Sequence, residues 1–195
     1  FSLVQRTPSL GTSFILFFAT GFLPFNFFQS TSKRISTTLK NSRPLLAYPA
    51  VSWIDAVIAR FLLNMLTSLL VTYIIMTGIV VLTDARVTIS VPQILQAYAF
   101  AGLLGLGIGL VNCVIIGYLP VWDSFWSIFT RPLFLASGVL LLYEDLPRLA
   151  QDLLWWNPLM HVTALNRSGF YATYAPQFFS YTLVLAYALP GLLCG

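Results

Sequence analysis

The chain's single histidine, His161, lies in LLWWNPLMHVTALNRSGFY, residues 153–171, with Trp155, Trp156, Asn157, Pro158, Arg167 and Ser168. A histidine near a serine and a carboxylate is the raw material of nucleophilic catalysis. Ser168 comes seven residues later, so on a helix it shares a face with His161 but sits nearly two turns away. That is too far for direct proton transfer. Asp152 belongs to the preceding segment. A metal site asks for three or four ligands, and no second histidine exists, while Cys113 and Cys194 both sit in apolar runs. A histidine at a membrane surface, satisfied by water or a neighbouring helix, is the expected reading. A membrane-embedded transferase using His161 and Asp152 at the outer face is the rival from another class.

Nucleotide chemistry fares no better. The lysines are Lys33 and Lys40, and neither follows a glycine-rich phosphate loop. The glycines of AFAGLLGLGIGL, residues 99–110, have no strand before them and no acid after them, so they do not form a dinucleotide fingerprint. Ala97, Ala101, Gly105 and Gly109 instead recur every four residues, a smooth ridge for close helix packing. Acidic residues are nearly absent from the apolar segments, which argues against a proton relay. Any uphill transport then draws its energy from a partner.

These residues sit in a chain built for lipid. Of its 195 residues, 58% are hydrophobic and 8% charged, far below the roughly 25% charged residues of soluble domains. The net charge of +4 belongs to membrane topology, and nucleic acid is not an expected partner. Spans of about 20 apolar residues are expected at 13–31, 51–82, 94–118, 125–142 and 178–195. The fold class is an all-α integral membrane protein in one transmembrane domain. Lys33, Arg34, Lys40 and Arg43 crowd the loop SKRISTTLKNSR without an acid, which places it in the cytosol. Residues 83–93 and 143–177 then face outward and 119–124 inward. Phe1 falls outside on this count, so a further first span upstream, six in all, is the expected reconstruction. The chain is read as a fragment lacking that span, an N-terminal interface helix and its C-terminal end.

Two short segments remain. EDLPRLAQDLLWW predicts a helix at 146–156, capped by Asp145 with Pro147 in its first turn. Asn157-Pro158 predicts the cap and first residue of a second, at 158–169. Both are expected to lie on the outer membrane surface with tryptophans at headgroup depth. Arg131, before Pro132 inside an apolar segment, either meets an anion or snorkels to the cytosolic face.

FLPFNFFQSTSKRI, IDAVIARFLLN and SGVLLLYEDLPRLAQDLLWWNPLMHVTALNRSGFY together resemble, in order and spacing, the inner-membrane permeases of capsular-polysaccharide ABC exporters. These type-2 ABC exporters are similar to the permeases for O-antigen and teichoic acid, which stay open as alternative cargoes. The resemblance implies a six-span subunit of the bacterial inner membrane that dimerises and docks two cytosolic ATPase subunits. Those subunits would bind ATP and magnesium, and this chain would hold no cofactor of its own. It further implies a coupling helix at 32–46 carrying Lys33, Arg34, Lys40 and Arg43. The helices at 146–156 and 158–169 would form a periplasmic gate, with Trp155, Trp156, Asn157, Pro158, His161 and Arg167. A lipid-linked polysaccharide would pass Arg131, Arg60, Phe25 and Phe28, cations meeting phosphate or acidic sugars and rings meeting pyranose faces. Periplasmic and outer-membrane export proteins are further expected partners.

Overall fold

In hydrocarbon a backbone must close its own hydrogen bonds, which selects helices for isolated apolar runs. The computed structural model of the chain describes residues 14–41, 52–83, 89–140, 142–171, 174 and 180–194, and their regular structure is helical. In chain order the helices are α1 (Phe14–Ser36), α2 (Thr38–Asn41), α3 (Trp53–Thr83), α4 (Val91–Tyr118) and α5 (Trp122–Ala136). A 3-10 turn at Tyr143–Asp145 precedes α6 (Arg148–Leu154), α7 (Pro158–Phe170) and α8 (Tyr181–Cys194). Helices α1, α3 and α4 are long and apolar enough to cross a membrane.

Helix α4 is the central post. Ala97, Tyr98, Ala101 and Leu104 on it have no exposed surface. Along one side lies α1, so close that a Cβ on Gly105 would stand 2.9 Å from the Thr31 Cβ, and one on Gly109 2.7 Å from the Ile35 Cβ. The small-residue ridge read from the sequence is therefore the α1–α4 seam. A second seam lies on the opposite side, where a Cβ on Gly107 would stand 2.7 Å from the Ala188 carbonyl of α8. Helix α3 leans mainly on α1. It is tied there by Asn64, whose Nδ2 donates to Thr31 Oγ1 at 2.7 Å and to Ser30 Oγ at 3.1 Å. A shared hydrogen bond of 2.6 Å between Thr72 and Tyr98 links α3 to α4.

The structure redraws several expected boundaries. Helix α1 does not stop at residue 31 but carries Lys33 and Arg34 in its last turn. Hydroxyls of Ser36 and Thr38 close that end on the Lys33 and Arg34 carbonyls. The expected coupling helix at 32–46 is thus the tail of α1 plus the single turn of α2, while Arg43 lies outside the described residues. The expected span at 125–142 is not one continuous helix either. Helix α5 has 15 residues, about 22 Å at 1.5 Å per residue, against a hydrocarbon core of about 30 Å. It ends at Ala136, and Gly138 with φ 69° turns the chain away. Helix α6 begins at Arg148, with Pro147 in extended conformation before it.

Candidate functional site

A helix that ends within the membrane leaves carbonyls without partners. Three side chains of the α7 segment meet them. Asn157 Nδ2 donates to the Ala136 carbonyl at 2.9 Å, Thr163 Oγ1 to Ser137 at 2.8 Å and an Arg167 guanidinium nitrogen to Val139 at 2.9 Å. Asn157 also caps α7, accepting from the Leu159 N–H at 3.1 Å, with Pro158 in the first turn. Arg167 lies over the Phe17 ring of α1, 4.1 Å from its centroid. A Cβ on Gly21 would stand 2.9 Å from Arg167 and 3.1 Å from the Val139 carbonyl, so this bare patch of α1 lets the clamp close. Asn166 Nδ2 adds a 2.6 Å bond to the Thr20 carbonyl.

Eleven of the 13 residues of α7 are buried among α1, α4 and α8. This corrects the expected surface helix. A polar helix is read as surface-lying when its side chains need water; here the broken α5 and the α1 backbone take that place. Burial pushes the Arg167 guanidinium down to about 10, with Tyr174, Tyr171 and Glu144 opposing the shift, so it stays cationic at neutral pH. Helix α6 differs, having no buried residue. Its Leu149 and Leu153, with Trp156 beyond its end, form one exposed file at helical spacing.

His161 is fully buried. The Ser180 N–H can only donate, so Nδ1 accepts it at 3.4 Å, and the Nε2 proton goes to the Trp155 carbonyl at 2.8 Å. Burial holds its pKa below the ordinary value, offset in part by the Trp155 bond. Both ring nitrogens are engaged by backbone, Ser168 Oγ donates to the Leu165 carbonyl, and Asp152 is exposed on α6. Among the described residues and hydrogen bonds, no base is seen facing a nucleophile around His161. No group of three or more potential metal ligands occurs among the described residues.

A second polar feature runs along α1. Its exposed face carries Ile15, then half-buried Phe18 and Phe22, and then turns polar through Asn26, Gln29, Ser30, Lys33 and Arg34. Helix α3 sets Asn64, Thr67, Ser68 and Thr72 beside it, and between them opens a cavity of about 160 Å³. The sequence reading passed over Asn26, Gln29 and Ser30, although their spacing of three and four residues in a phenylalanine-rich run is the pattern of one helix face. It pointed instead to Phe25 and Phe28, which are 2% and 0% exposed and belong to the buried core, Phe25 packing edge-on against Phe134 of α5. Arg131 is exposed on α5, Arg60 half-buried on α3, and Lys33, Arg34 and Lys40 exposed in the last turn of α1 and on α2. Trp155 is half-buried against His161, its ring centroid 6.0 Å away, and Trp156 points outward.

Residues 2–171 match the family described as ABC-2 type transporter. The chain belongs to that family. The ABC-2 match runs through α1 to α7, so the broken α5 and its clamp lie inside it. Among curated relatives, the polysialic acid transport protein KpsM of Escherichia coli is 30% identical over 184 residues, covering 94% of this chain and 71% of that protein. The capsule polysaccharide export inner-membrane protein BexB of Haemophilus influenzae is 24% identical over 182 residues, covering 91% and 69%. The capsule polysaccharide export inner-membrane protein CtrC of Neisseria meningitidis is 22% identical over 159 residues, covering 82% and 60%. This ABC-2 chain is a multi-pass inner-membrane protein.

Proposed function

We propose that this chain is the membrane subunit of an ATP-driven exporter that carries lipid-linked capsular polysaccharide across the bacterial inner membrane. The relatives' names support the cargo, and one feature of the fold supports the mechanism. Helix α1 is a single rod with Lys33 and Arg34 at its inner end and Phe17, Thr20 and Gly21 under the α7 clamp at its outer end. A push delivered at the cytosolic end therefore travels along one continuous helix, past Pro24 inside it, to the broken end of α5.

In this reading two ATPase subunits bind ATP and magnesium and press on the basic tail of α1, on α2 and on Arg43. Two copies of the permease form the path between them, and Arg131 on the exposed face of α5 meets anionic groups of the passing chain. Asn157, Thr163 and Arg167 hold the outer gate by keeping the α5 carbonyls satisfied, while Trp155 and Trp156 anchor it near the headgroups.

The test is gentle purification of the full-length protein from native membranes. An ATPase subunit should accompany it in equal amount and be lost when Lys33, Arg34, Lys40 and Arg43 are neutralised together. A protein that arrives intact and alone refutes the mechanism. The glycan that accumulates inside cells lacking the protein tests the cargo, and O-antigen or teichoic acid there would replace capsule.

A further inference from the structure

Polar side chains exposed at membrane depth are costly, and they persist where they face water, a ligand or a polar partner. The cavity between α1 and α3 is lined by Asn26, Ser30, Arg34, Asn64, Thr67 and Ser68, with a single cation and no acid. Its volume of about 160 Å³ lies below the ~300–1,000 Å³ of sites for drug-sized ligands, which suits one sugar ring. Thr67 Oγ1 donates to the Leu63 carbonyl and Ser30 Oγ to Phe27, so the lone pairs these hydroxyls keep are acceptors for ligand hydroxyls. Asn64 is held in place by its bonds to Ser30 and Thr31. Arg34, exposed at the inner end, supplies donors and charge for an anion.

We infer that the α1–α3 cavity binds the phosphate-bearing saccharide end of a membrane-anchored glycan, with the phosphate at Arg34 and one sugar ring against Asn26, Ser30, Asn64 and Thr67. A headgroup phosphate without a sugar would use Arg34 and leave the amide and hydroxyl wall idle. A neutral sugar would leave the cation idle. The site rests on the exporter reading and deepens it: the cargo is held at its anchored end, on the cytosolic side of the α1 rod, where Arg34 belongs both to the site and to the coupling tail.

The test uses the full-length permease with its ATPase partner, free of nucleotide, in phosphatidylethanolamine nanodiscs. The probe is a photoactivatable phosphatidylglycerol carrying one glycosyl residue. Asn64 is spared because it ties α3 to α1; the variants are the pair Asn26→Leu with Thr67→Val, and separately Arg34→Gln. The probe should label α1 and α3. The pair should weaken binding about tenfold, the scale of one or two lost hydrogen bonds, with an unchanged melting temperature. Arg34→Gln should abolish the preference for this probe over its phosphate-free analogue. Equal labelling by plain phosphatidylglycerol would reassign the cavity to bulk lipid and overturn the proposal. So would unchanged binding in the paired variant, or a Thr67→Cys variant that cross-links to another transmembrane helix instead of the probe. Loss of the co-purifying ATPase in the parent protein marks failure of the exporter reading itself, independently of these outcomes.

Discussion

At the scale of single residues, the buried cation and the buried imidazole do structural work. Arg167→Ala removes a charge-assisted hydrogen bond to Val139, worth roughly 1.5–3 kcal/mol, and a desolvated cation–π contact with Phe17. A loss of about 3 kcal/mol is expected in detergent unfolding, with Arg167→Lys restoring only part because it cannot stack as a plane. His161 gives a pH signature. Its folded pKa lies below its unfolded value, so the unfolded chain binds more protons, and stability rises with pH across that window. Its contribution is complete above about pH 6.5 and is lost as pH falls through the folded value. Melting temperature should therefore drop as pH falls below about 6.5, and His161→Gln should flatten that part of the drop. A transferase would instead lose all function in His161→Gln while keeping the acid sensitivity.

At the scale of elements, two junctions decide whether the helices assemble. Asn157→Ala removes a cap, worth about 1 kcal/mol, and also leaves the Ala136 carbonyl without its amide donor. The expected outcome is a larger loss than a cap alone gives, with faster hydrogen exchange at the end of α5. The α1–α4 seam tolerates no added volume. Gly109→Leu forces α1 away at a cost of about 1–3 kcal/mol or more, the scale of overpacking. Gly78→Leu on α3, where a Cβ would meet nothing within 4 Å, should leave the melting temperature unchanged. Equal effects of the two would show that the seam is not where the geometry puts it.

At the scale of the molecule, the charge asymmetry predicts the α1–α2 end in the cytosol and α6 on the outer side. With the native cysteines replaced by serine, Lys40→Cys should react with an impermeant maleimide only in inverted membranes. Leu149→Cys, which is 86% exposed, should react only from the outer side. Labelling of both from one side would overturn the topology.

The composition and the apolar runs by themselves determined that the chain lives in a bilayer, because no arrangement of 8% charged residues covers a water-facing surface. The Ala97–Gly109 spacing determined a packing ridge, and Asn157-Pro158 determined where α7 begins, since both signals are local and periodic. Only the tertiary structure decided where α5 breaks and what α7 does about it. The donors for the Ala136 to Val139 carbonyls come from residues about 21 to 28 positions later, and no local pattern announces such a pairing. The same holds for the phenylalanines of α1. Which ring faces the core and which neighbour faces the α3 cavity depends on the helix's rotation, set by the glycines of α4 and by Asn64 of α3, which meet at Thr31.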